Sequence, residues 1–378
     1  MPVKDKVVTW WIQNVILPRR EIIDKPGFII TSLSEKQQVI NLRDLFLSER
    51  LFELIENKIV QHFGQKGRQA LYSAGKKFGF IYSSMSNFPT INNSTKKEFI
   101  NFAYFLLRFV EGTYAQQVNH KLNLDEKIFK IYLNNYIICR HNGNGHIMTE
   151  GGITGIWAYA MEDKSIEGIQ LKCEGRGNNY CELICAPDEK LRREINNKIY
   201  KELDLKEVRF ENTYKMMNEI RPTKYSSNSL KELLDAGFFE FKKGILSYKN
   251  HRFFACDSHI LYTIENEISK LVDGERILFD ISFEYGTLLR ELYGGKDFKK
   301  FIPDFFSALG FGDIFVSDSD LIKIISIYYP WTIFSEKSKF IIFRGIMSGI
   351  LSSSIDKKVE FNNINLNSKN YLTLTISN

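Results

Sequence analysis

The tripeptide Ile-Glu-Asn occurs twice, at Ile55–Asn57 and at Ile264–Asn266, each time inside a similar run of residues. That repetition constrains the fold more than any other feature, because a chain that contains itself twice builds related units. The first run is Leu51-Phe-Glu-Leu-Ile55-Glu-Asn57-Lys-Ile59, and the second is Ile260-Leu-Tyr-Thr-Ile264-Glu-Asn266-Glu-Ile268. Apolar residues fall at helical spacing in both: Leu51, Ile55, Ile59 and Phe63 against Ile260, Ile264, Ile268 and Val272. Ser48 and Ser258 stand in front of them as N-caps.

A second helix follows each run, Ala70–Gly79 in one and Ile277–Gly286 in the other, and an aromatic residue precedes glycine in both, Phe78–Gly79 and Tyr285–Gly286. A mid-helix glycine costs about 1 kcal/mol against alanine, so a close backbone approach is expected there. Further on, Gly152–Ile156 resembles Gly345–Ile350, Asp163–Glu167 resembles Asp356–Glu360, and Asn179-Tyr180-Cys181 resembles Asn370-Tyr371-Leu372. Between the copies, Asp188–Arg221 is half charged, with Leu191, Ile195, Ile199 and Leu203 as one apolar stripe on an expected helix. Pro222 and Ser226–Ser229 read as a turn before the second copy.

The chain has 378 residues, long enough for two cores, and its 30 phenylalanines and 18 tyrosines argue against disorder. A net charge of +6 without any block of basic residues gives no strong nucleic-acid signal. No charge-free apolar stretch reaches the roughly 18 residues of a membrane span. Trp10 and Trp11 are expected to pack into the core rather than anchor at a membrane surface. The N-terminus lacks the small-residue cleavage site of a secretion signal, and five cysteines are too few for a disulfide scaffold, so a cytoplasmic location is expected.

The stretch Ile169–Cys185 carries the most chemistry. Ile169, Leu171 and Cys173 alternate with polar residues, as do Cys181, Leu183 and Cys185, on either side of the turn cluster Gly175-Arg-Gly177-Asn178. A hairpin centred on Gly177 would set Cys173 opposite Cys181, with Cβ atoms about 4.5–5.5 Å apart. Two thiolates at that separation suit Zn²⁺, with Zn–S near ~2.3 Å, or a disulfide, or simply a pair of buried thiols. His146 is a candidate third ligand. Glu167 is a candidate fourth, sharing the face of Cys173 only if no bulge intervenes; Gln170, Cys185 or water are the alternatives. Cys256 reads as a core thiol.

Three stretches, Leu71–Gly79, Gly151–Gly155 and Glu167–Cys181, give the chain its likeness to a known family. The pattern resembles the 4-vinyl reductase-type domain, a small-molecule-binding module of bacterial phenol- and xylene-sensing activators, related in fold to the TRAPP vesicle-tethering subunits. The likeness covers about residues 40–187, and a degenerate second copy about 237–378. It implies an α/β (α+β) fold of two tandem domains, each a small antiparallel sheet packed with helices. Residues 1–187 would be the domain with the metal-site hairpin, 188–236 a charged helical linker and 237–378 the degenerate copy. It also implies a zinc site at His146, Cys173 and Cys181, with Gln170 standing where metal-binding members carry glutamate.

The implied function is a non-catalytic small-molecule-binding sensor with an apolar pocket and a structural zinc. Trp157, Tyr159, Phe105 and Phe109 are candidates for the pocket wall, core packing being their ordinary role. No nucleophile elbow, P-loop, dinucleotide fingerprint or HExxH motif is present. The competing readings are a protein-interaction scaffold in which two copies mimic a dimer, and a zinc enzyme of tetrapyrrole or aromatic metabolism. The expected partners are a hydrophobic small molecule and a protein partner or second copy of the chain.

Overall fold

Ser48 ends a strand and begins a helix: its side chain accepts the Arg50 backbone N–H, and Glu49 follows where the helix dipole favours an anion. The computed structural model describes residues 3–12, 21–35, 38–137, 145–194, 228–242, 245–294, 297–318, 321–330, 338–368 and 371–376. In chain order the first part holds α1 (Val3–Trp11), β1 (Glu21–Ile22), β2 (Ile29–Glu35), β3 (Gln38–Ser48), α2 (Glu49–Phe63), α3 (Gln65–Met85), α4 (Lys96–Thr113), β4 (Gln117–Asn123), β5 (Ile128–Asn134), α5 (Ile147–Ala160), β6 (Ile166–Lys172), β7 (Cys181–Pro187) and α6 (Asp188–Glu194). The second part holds α7 (Leu230–Asp235), β8 (Glu240–Lys242), β9 (Ile245–Tyr248), β10 (His251–Asp257), α8 (His259–Ile268), α9 (Gly274–Tyr293), α10 (Phe298–Ala308), β11 (Asp313–Ser317), β12 (Lys323–Ile327), α11 (Ile341–Ile355), β13 (Phe361–Ser368) and β14 (Tyr371–Ile376).

The fold is mixed α/β with antiparallel sheets. From β3 to β7 the order is strand, three helices, two strands, helix, two strands, and from β10 to β14 it is the same. The two four-stranded sheets also share one strand order, β4-β5-β7-β6 and β11-β12-β14-β13. The third sheet belongs to both parts: β1-β2-β3-β10-β9-β8, closed at its centre by antiparallel pairing from Ser48↔Phe253 to Asp44↔Asp257.

The glycines do what their cost implied. A Cβ on Gly75 would lie 2.0 Å from the Met148 carbonyl oxygen, and one on Gly79 would lie 2.0 Å from that of Gly152, so α3 and α5 pack backbone to backbone. Gly286 against Ile346 (2.2 Å) repeats this between α9 and α11. Helices also cross between the parts: α8 packs on α3, and α2 on α9. Lys77 of α3 pairs with Glu267 of α8 at 2.7 Å, and Lys58 of α2 pairs with Glu284 of α9 at 3.4 Å.

Some sequence expectations need correction. Ser258 makes no side-chain cap; Asp257 accepts the His259 N–H instead, at 3.0 Å. Val272 lies beyond the end of α8 and is 84% exposed. Trp10 and Trp11 are not core: they are 59% and 47% exposed on α1, whose other face sets Val8 and Ile12 against Phe105 and Phe109 of α4. Leu191 is buried against Ile184 and Ala186, whereas Ile195, Ile199, Leu203 and Pro222 of the charged segment lie outside the described residues. No helix among the described residues is long and apolar enough to cross a membrane.

Candidate functional site

The hairpin forms, but with a bulge. β6 and β7 pair as Gly168↔Cys185, Ile169↔Ile184 and Gln170↔Leu183, and the register then shifts before Lys172↔Glu182. Beyond it the Asn178 side chain accepts the Cys173 N–H at 3.0 Å, and Gly177 closes the turn at φ 85°. Cys181 opens β7 with its sulfur 3.4 Å from the Glu174 N–H, and both thiols are buried. An extra residue inverts the alternation, so Glu167 and Cys173 no longer share a face.

Glu167 is committed elsewhere. Its carboxylate accepts from the Lys76 ammonium at 2.8 Å and from the Tyr72 hydroxyl, all three groups being buried. The Gln170 side-chain oxygen accepts the His146 backbone N–H at 2.9 Å, and the His146 ring stands edge-on to Tyr136. The bonds to Lys76 and Tyr72 take Glu167 out of the candidate zinc ligands and leave His146, Cys173 and Cys181. Glu167 is held in an ion pair, and Gln170 offers a neutral amide. Among the described residues no group of three or more His, Cys, Asp or Glu side chains is placed to hold a metal ion. Cys139 and His141 lie outside the described residues.

The cluster around Lys76 is buried and closed. Tyr72 also accepts the Gly168 N–H at 3.0 Å, and the Thr154 hydroxyl lies 3.7 Å from the Cys185 sulfur. Burial pushes the Cys185 thiol up to about 12, which leaves it protonated and a poor nucleophile at neutral pH. Burial likewise pushes Glu150 up to about 8, against the pull of Arg68. In the second part, the positions that precede Gly286 as Tyr72 and Lys76 precede Gly79 hold Phe279 and Phe283. Glu360 pairs there with Arg276 at the surface.

A site with room for a ligand is a cavity of about 490 Å³ walled by α3, α4, α5, β4 and β5, and closed by β10 and α8 of the second part. Its wall is aromatic: Phe78, Phe88, Phe99, Phe102, Phe129, Trp157 and Phe254 all face it. Of the four sequence candidates, Trp157, Phe105 and Phe109 line it, while Tyr159 packs against Phe80 instead. Volumes of roughly 300–1,000 Å³ with apolar walls and a few polar groups are typical of small-molecule sites. In the second part α10 stands where α4 stands, and its region is filled by rings. Phe305–Phe306, Phe306–Phe311 and Tyr329–Phe343 have centroids 5.2, 5.5 and 4.8 Å apart.

One end of the cavity is polar. Thr31 and Asp44 reach it from the first part, Cys256 and Asp257 from the second, and Tyr82 and Ser86 from α3. Tyr82 and Cys256 keep some accessible area because they face the cavity, although protein surrounds them. Cys256 is thus a wall residue of the cavity rather than a plain core thiol. Burial pushes the Tyr82 phenol above its ordinary value, and Asp44, Asp257 and Cys256 beside it add to the shift. Asp44 and Asp257 escaped the sequence reading, although each is an acid beside an apolar strand run, Asp44 just before Leu45–Leu47 and Asp257 just after Phe253–Cys256, a placement that needs a reason.

No protein-family model matches the sequence, and no curated protein does. Among solved structures, the chain is similar to the phenol-responsive sensory domain of the transcription activator PoxR, determined with phenol. The identity is 13% and the TM-score 0.31, over 59% of this chain and 100% of that chain. A likeness of that size transfers neither fold nor ligand.

Proposed function

We propose that this chain is a non-catalytic small-molecule-binding regulatory protein built from two 4-vinyl reductase-type domains. Residues 1–187 supply most of the cavity wall, residues 237–378 form a degenerate copy that closes it and acts as a built-in partner, and residues 188–236 join them. The observation that carries this reading is the aromatic cavity of about 490 Å³ in the first part, where the second part is packed with rings. An apolar ligand would be held by burial, at about 25 cal/mol per Å² of apolar surface.

The test is occupancy. Native mass spectrometry of protein purified without added ligand, followed by titration with the neutral apolar fluorophore diphenylhexatriene, should show one small molecule per chain. Absence of both a retained mass and probe fluorescence would overturn the proposal. A second reading, an interaction scaffold, is favoured by Val7, Trp10 and Trp11, all exposed on α1. It predicts that Trp10→Ser together with Trp11→Ser abolishes capture of a partner protein and leaves the probe titration unchanged.

A further inference from the structure

The ionisable groups that line the polar end of the cavity are two carboxylates, a thiol and a phenol. Asp44 on β3 and Asp257 on β10 are direct cross-strand partners, and both line the cavity. They are 8% and 3% exposed. Opposed side chains at such positions have Cβ atoms about 4.5–5.5 Å apart, and like charges there repel. The Thr31 hydroxyl donates to Oδ2 of Asp44. The backbone N–H and the ring of His259 meet Oδ1 of Asp257. Oδ2 of Asp257 is buried with no hydrogen-bonding partner in the protein. No lysine or arginine is among the residues that line the cavity. A buried carboxylate oxygen in this position is costly unless a donor meets it.

We propose that the polar end is a cation seat, and that the ligand is an amphiphilic amine. Its ammonium donates to Oδ2 of Asp257 and sits against Asp44, and its apolar body lies along the aromatic wall towards Trp157. The Tyr82 and Ser86 hydroxyls are placed to complete the head-group shell. The β3–β10 pairing then has a functional consequence, since each part of the chain contributes one carboxylate and neither alone makes the seat. This inference rests on the cavity being a ligand site.

The experiment separates the two. Bound diphenylhexatriene is displaced from the full chain at neutral pH by decylamine, decanol and decanoate, which share one tail and differ in head group. Decylamine should displace the probe at a concentration at least about tenfold below decanol, the margin of a charge-assisted hydrogen bond, with decanoate weakest. Asp257→Asn should bring decylamine back to the level of decanol while probe binding persists. Probe binding with decylamine no better than decanol, or with decanoate as good, overturns the cation seat and leaves the cavity reading standing. Failure of the probe and of all three displacers to bind overturns the cavity reading itself. The comparison of head groups needs no variant, so it decides the matter even if Asp257→Asn does not fold.

Discussion

Glu56 and Glu265 hold the same position in the two parts of the chain: each accepts the backbone N–H that opens the glycine-rich helix of its own part. Glu56 takes the Met148 N–H of α5 at 2.8 Å, and Glu265 takes the Ile342 N–H of α11 at 2.9 Å. Both carboxylates are buried. The repeated Ile-Glu-Asn triplet is therefore an anchor. Its isoleucine enters the core and its glutamate satisfies the unpaired donors and positive dipole end of a helix distant in sequence.

Glu265 makes stability depend on pH. Burial raises its carboxyl from the ordinary 4.5 to about 7, more than the Ile342 N–H lowers it. A group whose folded value is raised contributes stability below its unfolded value, and that contribution is lost as pH rises through the folded one. Between those values the chain should lose about 3 kcal/mol from this group alone. Glu265→Gln keeps an oxygen for Ile342 and removes the titration, so urea unfolding should become flatter with pH across this window. Glu150 still titrates in the variant, up to about 8, so some slope persists. A variant with the full native slope would refute the assignment.

Lys76 and Glu167 form an ion pair with side chains 1% and 3% exposed. Removing one member strands the other in the interior, at a cost of about 3–5 kcal/mol. Lys76→Met should lower the urea midpoint accordingly. The pair Lys76→Met with Glu167→Met should recover most of the loss, because no buried charge is then left alone, and the second part fills the position matching Lys76 with Phe283. Additive losses in the double variant would show that the two groups are not coupled.

Gly79 makes opposite predictions from helix propensity and from packing. Propensity favours alanine by about 1 kcal/mol. Packing opposes it, since the new Cβ would stand 2.0 Å from the Gly152 carbonyl and something must shift. Overpacking of this kind costs about 1–3 kcal/mol, and here both neighbours are helix backbone, so the upper part of the range is expected. Gly79→Ala should therefore destabilise the chain in thermal melts, and Gly286→Ala should do the same in the second part. An increase in melting temperature would mean that α3 and α5 can slide apart.

Much of this was legible in the residues themselves. The triplets, the glycines and the helix spacing around Ile55 and Ile264 located related elements, because short-range periodicity follows from backbone geometry. The partner of each triplet was not legible, as Met148 and Ile342 are brought there only by packing. Alternation through Gln170 and Lys172 gave no sign of the bulge, and that single residue sets Glu167 and Cys173 on different faces. The cavity was hidden for a similar reason. Trp157 reads from sequence as core or as pocket wall, and only the arrangement of α4 against β5 decides whether rings fill a space or line one. The charged end depended on two aspartates more than 200 residues apart meeting in register.

Two of the ion pairs between the parts carry the cation on the first part, and a third, Arg252 of β10 with Glu49 of α2 at 2.6 Å, carries it on the second. Lys58 and Lys77 lie on helices of the first part, and their partners Glu284 and Glu267 lie on the second. Two copies of the first part facing each other would bring lysine against lysine, so this pattern favours the unlike pairing. The chain cut within residues 195–227 should therefore stay together as a one-to-one complex through β3–β10 and the crossed helices. Lys77→Glu should cost about 1 kcal/mol, since this pair is largely buried and exposed pairs are worth less. Glu267→Lys in the same chain should restore only part of it, because Glu267 also holds Lys270 at 2.6 Å. Size-exclusion chromatography of the cut chain reads the outcome: separate elution of the two pieces, or homodimers of either, would show that the second part is not a built-in partner for the first.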